Sequence, residues 1–110
     1  MKVPFINLNS RYQQYRKAFH QVLDEVIDSS QFILGESLSR FEDNLSEYIG
    51  TKYSVGVGNG TDALILGLKS LGIGQGDEVI TTPMSYLAST SAIYLAGAEA
   101  KFVDIGDDLN

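Results

Sequence analysis

A chain of 110 residues with 44% hydrophobic content can form one small domain or a piece of a larger one, and is too apolar for disorder. Its net charge of −6, with eight scattered Lys and Arg, argues against a nucleic-acid-binding face, and the absence of cysteine removes disulfide frameworks and thiolate zinc sites. The N-terminus lacks the apolar run of a signal peptide and no stretch is long enough to span a membrane, so a soluble cytoplasmic protein is expected.

The first eight residues read as an extended arm. From Tyr12, the spacing of Tyr12, Tyr15, Phe19, Val22, Leu23, Val26 and Ile27 predicts a helix with one apolar face, ending at Asp28-Ser29-Ser30. The stripe reads most simply as a packing face. Phe32-Ile33-Leu34-Gly35 is an apolar connection. A second helix carries Leu38, Phe41, Leu45, Tyr48 and Ile49, with Ser37 as its expected N-cap and Gly50 as its stop.

Tyr53 to Val57 is a strand candidate. It runs into Gly56-Val57-Gly58-Asn59-Gly60-Thr61-Asp62, where three alternating glycines would present backbone N–H groups just before a helix. A helix N-terminus carries partial positive charge and suits phosphate. Thr61 is the expected cap of a helix over Asp62 to Leu71. Gly72 to Asp77 is loop. Glu78 to Thr82 is a strand stopped by Pro83, Ser85 to Ala96 is helical, and Lys101 to Ile105 is a further strand. The strand–helix–strand–helix–strand rhythm predicts a parallel sheet with crossover helices, whose ligands gather beyond the carboxyl ends of the strands. Gly58 to Asp62 and Pro83 to Ser89 occupy that edge.

The glycine turn fits no dinucleotide fingerprint. Thr61 stands where a later glycine is required, and the acids Asp77 and Glu78 lie at the wrong end of the second strand. The Gly-Lys-Ser/Thr of a nucleotide P-loop is missing. Two readings stay open for the turn: a phosphate cradle, or a device for packing a helix closely on a strand. Tyr86 likewise reads as a ring that stacks on an aromatic ligand or as a core aromatic. His20 has no second ligand nearby and reads as a surface or packing residue rather than a metal ligand.

Several ordered blocks carry a resemblance over essentially the whole chain. They are Asn59-Gly60-Thr61-Asp62-Ala63-Leu64, Gly76-Asp77-Glu78-Val79-Ile80, Pro83-Met84-Ser85-Tyr86-Leu87-Ala88-Ser89, and Gly97-Ala98 with Phe102-Val103-Asp104-Ile105. Val3-Pro4-Phe5-Ile6-Asn7-Leu8, Phe32-Ile33-Leu34-Gly35 and Phe41-Glu42 add to them. In this order the blocks resemble the DegT/DnrJ/StrS family, nucleotide-sugar aminotransferases that use pyridoxal 5′-phosphate on the aspartate-aminotransferase fold. The resemblance implies an α/β fold, the N-terminal part of a fold type I large domain with an incomplete parallel sheet.

It further implies that Gly60, Thr61 and Asp62 hold the cofactor phosphate and that Tyr86 stacks on the pyridine ring. Ser89 matches a position that is often Thr, while Asn7 and Glu36 depart from the family's usual Asp and Pro. None of Lys2, Lys17, Lys52, Lys69 and Lys101 matches the family's Schiff-base lysine, so no catalytic residue is assigned. The expected protein is therefore the N-terminal part of an enzyme. That enzyme would move an amino group from an amino acid, glutamate by resemblance, to a nucleotide-linked keto-sugar, and would act as a homodimer when whole. Its strand matching Tyr53 to Val57 would not neighbour the two later strands. The alternatives are a non-catalytic regulatory member of the same family and a small nucleotide- or phosphate-binding α/β domain.

Overall fold

The computed structural model describes residues 3–108. Two compact units divide the chain, Met1–Gly56 and Val57–Asn110.

In the first unit, α1 spans Leu8–Ser29 and α2 spans Glu36–Ile49. Helix α1 begins four residues before Tyr12 because Asn7 caps it: Asn7 Oδ1 accepts the Ser10 N–H at 3.1 Å. Tyr12 and Phe19, two turns apart, stack with ring centroids 5.9 Å apart, and the Tyr12 hydroxyl lies 3.1 Å from His20 Nε2. Ser37 is not the cap of α2. The helix starts at Glu36 with Gly35 as its N-cap, and it ends at Gly50, whose φ of 79° closes the last turn as expected. Neither helix contains a buried residue, and Tyr12, Tyr15, Phe19, Val22, Leu23 and Ile27 all stand exposed.

In the second unit, α3 (Gly60–Ser70) is followed by β1 (Glu78–Thr81), α4 (Ala88–Ala96) and β2 (Glu99–Phe102). The two strands pair in parallel, with Glu78 opposite Glu99 and Thr81 opposite Phe102. A parallel pair needs a crossover, and α4 provides it. Helix α4 packs on both strands and on α3. Its small and branched residues form the core: Ala92 and Ile93 are buried, as are Ala98 and Ala100, with Leu68, Ile73 and Val79 packed against Ile93, Ala98 and Ala100. The expected α/β class with a parallel, crossover-linked sheet is what is observed.

Three boundaries move, each for a local reason. The last strand begins two residues before Lys101, because the Glu99 N–H donates to the Asp77 carbonyl directly after the Gly97-Ala98 turn. Its ladder stops after the Val103 N–H meets the Thr81 carbonyl, since β1 ends there and Asp104 and Ile105 have no ladder partner among the described residues. Helix α4 starts at Ala88 rather than Ser85: the Thr82 hydroxyl accepts the Met84 N–H after Pro83, and the chain bends before the helix can form. Tyr53 to Val57 forms no strand. A strand requires a ladder partner, and among the described residues only β1 and β2 pair.

Candidate functional site

Gly60, Thr61 and Asp62 form the first turn of α3. The cap is Asn59 rather than Thr61. Asn59 Oδ1 accepts the Asp62 N–H at 2.9 Å, and Asn59 Nδ2 donates to Asp62 Oδ2 at 2.9 Å. A sequence reading could have found this cap, because Asn is among the strongest N-cap residues and Asp62 follows at the reciprocating third position.

The cap decides which donors remain. The Ala63 N–H donates to the Asn59 carbonyl, and the Asp62 N–H is engaged by the Asn59 side chain. The N–H groups of Gly60 and Thr61 precede any possible intrahelical acceptor and are left pointing out of the turn. Among the described residues, the Thr61 hydroxyl also has no hydrogen-bond partner. Two amides and one hydroxyl on consecutive residues form a donor set for a phosphate group. Nothing lies within 4 Å of where a Gly60 Cβ would stand, so the approach to these donors is open. Asp62 contributes its carboxylate to the cap rather than a free donor.

The three glycines of the turn differ in role. A Cβ on Gly58 would lie 3.0 Å from Asp62 Oδ2, so this glycine makes room for the capping carboxylate. Gly56 offers no free amide. Its N–H donates to Glu42 Oε1 at 2.6 Å, and both residues are half-buried.

Tyr86 lies between the end of β1 and the start of α4 and is 81% exposed in this chain. Its carbonyl accepts the Ser89 N–H at 3.0 Å, while Ser89 Oγ lies 3.0 Å from Ser85 Oγ. The ring face is therefore open to a planar ligand. Among the described residues no hydrogen bond or ring contact joins Tyr86 to the α3 turn. The two features are placed by the packing of α4 on α3.

A phosphate-sized donor set on one element and a free aromatic face on its neighbour fit a phosphorylated aromatic cofactor. Comparison with known proteins identifies the family. Residues 13–110 match the DegT/DnrJ/EryC1/StrS aminotransferase family, and the chain belongs to it. It is 43% identical over 105 residues, 96% of its length, to the Pleiotropic regulatory protein of Geobacillus stearothermophilus, of which it covers 28%. It is 39% identical over 107 residues to the dTDP-3-amino-3,4,6-trideoxy-alpha-D-glucose transaminase of Streptomyces venezuelae, covering 97% of this chain and 28% of that protein.

Among solved structures, S. venezuelae DesV superposes with a TM-score of 0.93 at 39% identity, over 97% of this chain and 29% of that one. NtdA from Bacillus subtilis, determined with bound cofactor PMP, gives a TM-score of 0.88 at 34% identity, over 96% of this chain and 24% of that one. The chain thus spans little more than a quarter of the length of these relatives. Members of the family bind pyridoxamine or pyridoxal phosphate.

Proposed function

We propose that this chain is the N-terminal part of a pyridoxal-phosphate-dependent aminotransferase that moves an amino group from glutamate to a nucleotide-linked keto-sugar. The unpartnered donors of Gly60 and Thr61 carry the reading, because free amides at a helix N-terminus suit a phosphate group. Bound, the cofactor supplies the electron sink that amino transfer requires.

The residues of this chain bind and orient. The Gly60 and Thr61 amides and the Thr61 hydroxyl hold the phosphate. The Asn59–Asp62 pair keeps the first turn of α3 formed and draws the Asp62 carboxylate into the cap. Tyr86 would offer its ring face to the pyridine ring. In this reading the whole protein is a homodimer.

A regulatory role without catalysis has one observation in its favour, the 43% identity to a protein named for pleiotropic regulation. The two readings separate in one assay of the whole protein with pyridoxal phosphate, glutamate and a dTDP- or UDP-linked 3- or 4-keto-sugar. Release of 2-oxoglutarate with formation of the amino-sugar supports the enzyme. Cofactor binding without either product favours the regulatory member. No cofactor binding overturns both and leaves the phosphate-binding domain.

A further inference from the structure

We infer that Asn59 is a positioning residue for the cofactor phosphate, holding the Asp62 carboxylate clear of it, an inference that rests on the function proposed above. In that reading the N-terminus of α3 meets two anions. One is the phosphate at the Gly60 and Thr61 donors. The other is Asp62, which belongs to the same turn and is half-buried. A helix N-terminus stabilises negative charge, so the two anions compete for it and repel each other. Among the described residues no lysine, arginine or histidine pairs with the Asp62 carboxylate. The hydrogen bond that it accepts comes from Asn59 Nδ2, at 2.9 Å.

That bond sets where the charge lies. Asp62 Oδ2 is 3.0 Å from where a Gly58 Cβ would stand, whereas nothing lies within 4 Å of the corresponding point on Gly60. The carboxylate is thus held beside Gly58, ahead of the helix, while the space at Gly60 stays clear. Asn59 does two separable things. Its Oδ1 accepts the Asp62 N–H and caps α3, and its Nδ2 tethers the carboxylate. The first is a matter of helix stability; the second is a matter of charge next to the phosphate. Asn59 acts on the phosphate through Asp62, by keeping that side chain in place.

The test is the affinity of pyridoxal 5′-phosphate and of pyridoxal for the whole protein, measured by titrating apoprotein and following cofactor absorption. The variants are Asn59→Ala, Asn59→Asp, Asn59→Ala with Asp62→Asn, and Thr61→Ala. Asn59→Ala frees the carboxylate and should weaken the phosphorylated ligand about fivefold, the scale of one like-charge contact in water, while leaving pyridoxal within about twofold. Adding Asp62→Asn removes the charge and should bring the phosphorylated ligand back to within about twofold of wild type. Asn59→Asp still offers an oxygen to the Asp62 N–H, so α3 stays capped. It sets a second carboxylate against the first, and should weaken the phosphorylated ligand at least as much as Asn59→Ala.

A phosphate preference unchanged by Asn59→Ala but lowered by Thr61→Ala overturns the positioning role alone. So does a loss that Asp62→Asn fails to restore, or wild-type affinity in Asn59→Asp, since Asn59 would then act only as a cap. A preference unchanged by both Asn59→Ala and Thr61→Ala overturns the phosphate turn and this role with it. Failure of wild type to bind the cofactor overturns the underlying function as well.

Discussion

Asn59 and Asp62 hold each other in both directions, side-chain oxygen to backbone N–H and side-chain amide to carboxylate, each at 2.9 Å. This reciprocal cap starts α3 at Gly60 and leaves the Gly60 and Thr61 donors facing outward. Replacing Asn59 with Ala removes both bonds. It should lower stability by about 1 kcal/mol in urea denaturation of the whole protein, the usual cost of an N-cap. A midpoint equal to wild type would mean that another group caps α3.

Gly97 ends α4 with φ 100°, and a Cβ there would meet only ordinary contacts, 3.6 Å from the Gln75 nitrogen and 3.8 Å from Gly74. Space is available and backbone conformation is the obstacle. Gly97→Ala should therefore cost about 1–2 kcal/mol, the penalty of a left-handed conformation for a residue with a Cβ. Gly97→Asn should cost less, because Asn tolerates that region. Equal losses in the two variants would point to a steric clash instead.

Much of this was legible in the sequence, and most of the misses trace to contacts that composition does not report. The helical stripes and the Gly50 and Gly97 stops rest on local chemistry, so the sequence alone located α1, α2, α3, α4, β1 and β2 to within a few residues. Boundaries failed where a side chain reached back to the backbone: Asn7 lengthened α1, Thr82 delayed α4, and Asn59 displaced Thr61 as cap. Tyr53 to Val57 has strand composition, but pairing depends on distant residues, which composition does not report. The hydrogen bond of Gly56 was hidden for the same reason, since its partner Glu42 lies 14 residues away in sequence.

Glu78 and Glu99 face each other across the parallel ladder, and Lys101 Nζ lies 3.1 Å from one and 2.8 Å from the other. Like charges directly opposite are unfavourable, and the lysine offsets them. Its ammonium is held above the usual lysine value of 10.5, first by the hydrogen bond to Glu99 and then by that to Glu78. Because the folded pKa is raised, the contribution is complete below the ordinary lysine value and is lost as pH climbs through the raised one. Lys101→Met should lower Tm at neutral pH, and added salt should narrow the gap from wild type by screening the two glutamates. The difference should also shrink above the lysine range. A gap insensitive to both salt and pH would assign the loss to packing of the lysine stem.

Recognition of a phosphate by the α3 turn and of a ring by Tyr86 can be separated by comparing pyridoxal 5′-phosphate with pyridoxal. Affinities of both for wild type, Thr61→Ala and Tyr86→Ala whole protein make the measurement. Thr61→Ala should weaken the phosphorylated ligand and leave pyridoxal nearly unchanged, shrinking wild type's preference for the phosphate. Tyr86→Ala should weaken both alike, by about 1–3 kcal/mol if stacking here matches base–aromatic stacking. A phosphate preference undiminished by Thr61→Ala, with pyridoxal binding unaffected by Tyr86→Ala, would contradict the account.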